Sequence, residues 1–193
     1  MTKHWKYAAV SISVVFIWAG VASLPASAKS TAKTKTAATT MSDSDFAKAA
    51  AEGGFAEIRF GELAEDKAAN QAVKDLAQRM VNDHTKADDS LKSAAAKDSI
   101  SIPAKLNAKD QAAYSRLSQL SGAAFDRAYA RDMVRDHETD IALFRHEADN
   151  GKDASIKGFA EQTLPTLEGH LKLARQALQS VSPKASAKTA KKS

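Results

Sequence analysis

The chain is predicted to be all-α: a bundle of four long amphipathic helices, with one short extra helix between the second and third. Three observations predict it. No stretch between residues 43 and 181 sustains the two-residue alternation of a half-buried strand. Apolar residues there recur in steps of three and four, which lines up one face of a helix. Proline, the strongest helix breaker, occurs only at positions 25, 103, 165 and 183.

The first helix is expected to open at Ser42 or Ser44, both good caps, with Asp43 and Asp45 favourably placed in its first turn. Its inward stripe reads Phe46, Ala50, Gly53, Glu57, Phe60 and Ala64, and Gly53-Gly54 lowers helicity or permits close packing. The second runs from about Asn70 to Lys97 with Val73, Ala77, Met80, His84, Ala87, Leu91 and Ala94 inward. Around Ile100–Leu106 a connector holds Pro103. Asn107 then caps a short helix containing Tyr114, Leu117 and Leu120, which is expected to stop near Gly122. The third long helix covers roughly Ala123–Asp149, with Phe125, Tyr129, Met133, His137, Ile141, Phe144 and Ala148 inward. Asn150-Gly151 closes it and Asp153 caps the last helix. That helix presents Ile156, Phe159, Thr163, Leu167, His170, Ala174 and Leu178, with a kink expected at Pro165, and ends at Ser182-Pro183.

The flanks read differently. Lys3, His4 and Lys6, the apolar run Ala8–Leu24 and the triplet Ala26-Ser27-Ala28 make residues 1–28 a cleaved secretory signal, so export to the periplasm of a bacterial envelope is expected. A retained membrane anchor is the competing reading, and the small-residue triplet argues for cleavage. After cleavage no segment is apolar enough to span a membrane. The absence of cysteine means that packing alone must stabilise an exported product. The roughly 165 residues that remain suffice for one core. Residues 29–42 and 182–193 contain lysine but no acid, and read as a disordered basic linker and tail. Of 28 basic residues, seven lie in these tails and two in the signal, leaving 19 against 23 acids in the helical region 43–181. A core near −4, with the excess base in the tails, argues against a nucleic-acid-binding fold. The tails are solvated spacers or tethers to an anionic envelope surface.

One pentapeptide recurs: Met80-Val81-Asn82-Asp83-His84 and Met133-Val134-Arg135-Asp136-His137. Each histidine, like His170, stands where the stripe calls for a hydrophobe. Each of the four long helices thereby carries one potential ligand inward: Glu57, His84, His137 and His170. A carboxylate buried among hydrophobes is costly and ends up paired, protonated or metal-bound. Convergence of these four on one divalent or copper ion is one reading. Core histidines hydrogen-bonded to neighbouring groups, with Asp83 and Asp136 as partners from other helices, are the other. Met80 and Met133 lie one turn before their histidines; thioether with imidazole suits copper, whereas imidazole with carboxylate suits zinc, iron or manganese. They equally serve as core filler. Tyr129 either bonds to the site or packs. His146 and Glu62 fall off the stripe, and Glu138 and Glu168 read as surface partners. No nucleophile elbow or phosphate loop is present, so hydrolase and nucleotide functions have no support.

The ordered blocks Phe46…Ala51-Glu-Gly-Gly-Phe-Ala-Glu57, Glu62-Leu-Ala64, Met80–His84, Gly122-Ala-Ala-Phe-Asp126…Tyr129, Met133–His137 and Leu164-Pro-Thr-Leu-Glu-Gly-His-Leu171 resemble an exported bacterial ferritin-like family, the one catalogued as domain of unknown function 4142. The resemblance covers about residues 43–180. It implies a ferritin-like bundle, for which the long link between the second and third long helices leaves room, and it assigns no reaction. The wider ferritin-like group would imply a di-iron centre marked by Glu three residues before each metal histidine. Those positions hold Val81, Val134 and Leu167, which disfavours a ferritin-type redox enzyme or iron store. The expectation is a protein of binding or stress protection rather than turnover, holding one metal ion. A metal-free envelope interaction module is the alternative.

Overall fold

The computed structural model describes residues 41–182. The segment expected to be a signal, residues 1–28, nearly all of the expected basic linker and the expected tail beyond Ser182 lie outside the described residues. Five helices form: α1 (Asp43–Lys67), α2 (Gln71–Lys97), α3 (Ala108–Ser118), α4 (Gly122–Asn150) and α5 (Ala154–Ser180). No strand occurs among the described residues. The chain is therefore all-α.

Local chemistry explains most of the boundaries. Ser42 caps α1 by accepting from the Asp45 N–H at 3.1 Å, and its hydroxyl donates back to the Asp45 carboxylate at 2.7 Å. Asn70, Asn107 and Asp153 cap α2, α3 and α5 in the same way. Gly122 opens α4 rather than ending the short helix. Its φ of 54° turns the chain into α4 from a Ser121 that makes no side-chain cap bond, while α3 has already stopped at Ser118. At the end of α2 the left-handed conformation falls on Ser99, φ 55°, and the Ile100 N–H reaches back to the Ala95 carbonyl at 2.9 Å. α5 continues as one helix through Pro165.

Helices of this length are marginal alone, so packing must hold them. α1 packs chiefly on α2, and α4 on α5. Contacts of α2 with α5 and of α1 with α4 complete a ring in the order α1–α2–α5–α4. A Cβ on Gly61 would lie 2.7 Å from Val81 Cγ2, so the missing side chain is what lets α1 and α2 approach. Two apolar clusters fill the ring. The first joins Phe46, Leu91, Phe144, Ile156 and Phe159, which belong to the start of α1, the ends of α2 and α4 and the start of α5. The second joins Phe60, Val73, Met80, Phe125, Tyr129, Met133 and Ala174, with Leu117 supplied by α3. Ring neighbours are therefore antiparallel, and residues 98–121 carry the chain from one end of the molecule to the other. Each buried Phe or Leu contributes roughly 1.5–3 kcal/mol.

Two aspartates tie the ends together. Asp126 on α4 accepts the N–H groups of Ala69 and Asn70, both at 3.0 Å, in the α1–α2 link. Asp43 at the start of α1 accepts those of Lys152 and Asp153, the latter at 2.7 Å, in the α4–α5 link. Each uses one carboxylate to satisfy backbone donors that have no helical partner. No helix among the described residues is long and apolar enough to cross a membrane.

Candidate metal centre

Between the two apolar clusters lies one polar layer. On every long helix the polar residue separates members of the two clusters: Glu57 between Ala51 and Phe60, His84 between Met80 and Leu91, His137 between Met133 and Ile141, His170 between Leu167 and Ala174. All four are buried, at 3%, 5%, 0% and 2% exposure. One ring nitrogen from each histidine lies within 4.8 Å of the others. The ring centroids form a near-equilateral triangle with sides of 5.7, 5.2 and 5.3 Å.

The hydrogen bonds around two of the rings decide their tautomers. His137 Nδ1 lies 3.0 Å from the Met133 carbonyl, which only accepts, so Nδ1 carries the proton and Nε2 keeps its lone pair. His170 Nε2–H donates to Asp83 Oδ2 at 3.1 Å, leaving the lone pair on Nδ1. Those two lone-pair nitrogens face each other at 3.3 Å. Burial and neighbouring imidazoles disfavour a second proton. His137 is pushed down to about 3, chiefly by burial and then by His170. Burial likewise lowers His170, against the pull of Asp83, and lowers His84 well below the usual imidazole range. The 3.3 Å separation is close to the about 3.4 Å that two tetrahedral metal–nitrogen bonds of about 2.1 Å would set.

Glu57 borders the other side of the triangle. Its Oε2 lies 3.0 Å from His84 Nε2 and its Oε1 3.0 Å from His137 Nδ1. Neither His84 Nε2 nor Glu57 Oε1 takes part in an aligned hydrogen bond, so both are orphaned polar atoms in the core. Burial, and then the charges of Asp140, Asp136 and Asp110, raise the Glu57 carboxyl well above the ordinary range. A cavity of about 20 Å³ beside Glu57 and His84 has room for one water or one ion. Three imidazoles, two of them with outward N–H groups held by a carbonyl and a carboxylate, plus an adjoining carboxylate, are a donor set suited to a divalent cation.

Asp83 supports His170, and the His170 hydrogen bond and charge outweigh its partial burial to keep its carboxyl below the usual range. Asp136 contacts no histidine. It accepts from the Arg135 side chain at 3.2 Å on the α1–α3–α4 side of the molecule. Met80 and Met133 are fully buried in the second apolar cluster, and the group Met133 presents to the site is its carbonyl. Tyr129 stacks on Phe125 with its centroid 5.9 Å away. Its hydroxyl has no hydrogen-bond partner and is held protonated by burial and by Glu57. Glu62 is exposed and pairs with Arg59, His146 is exposed, and Glu138 and Glu168 pair with Arg175 and Arg145.

Sequence reasoning passed over three buried carboxylates. Asp126 caps a link, Asp132 binds Arg116 and Arg135, and Glu147 is 2% exposed with an orphaned Oε1. It also passed over Asp140, which faces Gly53 and lines the cavity beside Glu57 and His84. Its position one turn after Asp136 on α4 was the available signal.

No match is found among curated proteins. Among solved structures the chain is similar to a DUF305 fragment from Deinococcus radiodurans, with a TM-score of 0.63 at 14% identity. The similarity covers 71% of this chain and 95% of that one, and at this identity it bears on the fold alone. The family described as domain of unknown function (DUF4142) matches residues 28–177, most of the chain, and the chain belongs to that family.

Proposed function

We propose that this protein is an exported ferritin-like four-helix bundle that holds a single divalent metal ion at His84, His137 and His170, with Glu57 as fourth donor or immediate neighbour. The observation that carries this reading is that His137 Nε2 and His170 Nδ1 face each other at 3.3 Å, while the Met133 carbonyl and Asp83 assign each ring's proton to its other nitrogen. A cation relieves that opposition, accepts the orphaned His84 Nε2, and makes an anionic Glu57 favourable in place of a protonated one. Once bound, the ion supplies Lewis-acid character. His137 and His170 keep their coordinating nitrogens deprotonated through Met133 and Asp83, and Glu57 releases its proton. The all-histidine core suits binding and stress protection better than turnover, because the Glu-x-x-His pairs of di-iron enzymes are missing. The antiparallel ring and the end-to-end crossover support a ferritin-like topology, and the leader supports export to the periplasm. The basic tails are read as tethers to an anionic envelope surface.

The raised pKa of Glu57 favours a second reading, a metal-free module in which a protonated Glu57 donates to His84 and the layer is purely structural. One titration separates the two. Chelator-stripped protein is titrated with Zn, Mn, Fe and Cu while stoichiometry, proton release and Tm are followed. The metal reading expects one ion per chain, protons released on binding, and a stabilisation of about 2.7 kcal/mol at a hundredfold excess over Kd. His84→Ala, His137→Ala and His170→Ala should each abolish it. Absence of stoichiometric binding by any of the four ions leaves the metal-free module.

A further inference from the structure

An ion bound at the three histidines must enter a layer buried between two apolar clusters. Two surface depressions approach the layer, and they differ in charge. Between α2 and α5, His170 borders a groove rimmed by Arg79, Lys86 and Lys172, with Asp83 as its acid. Between α1, α3 and α4 lies a cleft of about 760 Å³ whose wall carries Glu52, Asp110, Asp136 and Asp140, with Glu57 at its inner end. The cations along that cleft are largely committed: Arg116 pairs with Asp132, and Arg135 lies 3.2 Å from both Asp132 and Asp136. Lys109 is the remaining base on this wall, against Glu52, Asp110 and Asp140, for which no ion pair is found. Low-dielectric walls lined by one sign of charge concentrate oppositely charged ions.

A second, independent feature points the same way. Glu57 is 3% exposed, its Oε1 accepts no hydrogen bond, and it lines both this cleft and the 20 Å³ cavity beside His84. Gly53 and Asp140 are likewise shared by the cleft and the cavity, so these three residues form the partition between them. A Cβ at Gly53 would meet only Asp140 Oδ1, at 3.9 Å, so the bare glycine leaves the partition thin. This gives the Gly53-Gly54 pair, unfavourable in a helix interior, a use that helix stability does not explain.

We propose that the α1–α3–α4 cleft is the cation entry path. Divalent ions are collected by Glu52, Asp110 and Asp140 and handed past Gly53 to Glu57 and the three imidazoles. The inference rests on the metal reading above and adds its route. The test is the rate at which metal-free full-length chain takes up Co²⁺, followed by its visible absorption in a rapid-mixing experiment. The double variant Glu52→Gln/Asp110→Asn should load about tenfold more slowly at low salt, with the gap closing as salt is added and the final stoichiometry unchanged. Gly53→Val should slow loading at every salt concentration. Lys172→Glu, which makes the α2–α5 groove acidic, should leave the rate unaltered. Unchanged loading by the double variant with full final occupancy would overturn the route while leaving the metal centre standing. Acceleration by Lys172→Glu would do so too, by assigning entry to the other groove. A wild-type chain that takes up no Co²⁺, Zn, Mn, Fe or Cu removes the centre and the route together.

Discussion

The repeated pentapeptide occurs once on α2 and once on α4, with four of its five residues the same, and the two copies behave differently. On α2, Asp83 reaches across to α5 and fixes the His170 ring, while His84 Nε2 has no aligned partner of its own. On α4, Asp136 turns to Arg135, the residue that replaces Asn82, and His137 is held by the carbonyl of its own helix at Met133. A residue one position before the histidine lies about 100° around the helix. On α2 that direction faces α5; on α4 it faces α1 and α3. α2 and α4 are diagonal in the ring and touch little, so neither copy can borrow the other's surroundings. The same aspartate reaches a histidine in one copy and an arginine in the other because the neighbouring helix differs.

The largest expected contrast is between His137→Leu and His84→Leu in metal-free protein. The first removes the Nδ1–H bond from a fully buried ring to the Met133 carbonyl, which keeps its helical N–H partner, and should destabilise by about 1–3 kcal/mol. The second removes a nitrogen with no aligned hydrogen bond and should cost less than about 1 kcal/mol. Urea unfolding measures both, and equal costs would erase the distinction between the copies. Next in size, Asp83→Asn should weaken metal affinity about 10- to 100-fold by loosening His170, whereas Asp136→Asn should leave equilibrium affinity within about threefold. Calorimetric titration of the two variants at fixed pH reads this directly.

Titration offers a gentler test. His137 has a folded pKa of about 3, below its unfolded value, so its neutral form supports folding above about pH 6.5 and that support is lost as pH falls toward 3. Glu147 runs oppositely. Burial and then Asp43 raise it to about 7, so its contribution is complete below its unfolded pKa and disappears as pH rises through 7. Glu147→Gln should therefore flatten the alkaline side of the stability–pH curve, and His137→Leu the acid side. Melting curves from pH 4 to pH 8.5 would show either limb failing to move. The smallest effect is expected at Ser99, whose φ of 55° suits glycine: Ser99→Gly should add roughly 0.5–1 kcal/mol at the end of α2 and leave the polar layer untouched.

Much of the fold was legible because helix capping and periodicity are local. Ser42, Asn70, Asn107 and Asp153 mark their helices in the sequence as they do in the structure, and the inward stripes singled out Glu57, His84, His137 and His170. The stripes failed toward the helix ends. On α4 the stripe steps mainly by four, ahead of the 3.6-residue turn, so by the last turn the buried position has fallen back from Ala148 to Glu147. On α5 it falls back from Leu178 to Ala177. Asp126 and Asp132 were missed because their partners, the Ala69–Asn70 link and Arg116, lie far away in sequence.

The sequence by itself determined the inward stripe through the middle of each long helix and the caps that open α1, α2, α3 and α5, since both follow from side chains within a few positions of one another. Tertiary structure alone decided that the four inward polar residues meet at one depth, that Asp83 serves His170 while Asp136 serves Arg135, and that Asp140 and Gly53 stand beside Glu57. Those relations depend on the order and rotation of helices around the ring. They are set by packing between segments distant in sequence, and no local pattern encodes them.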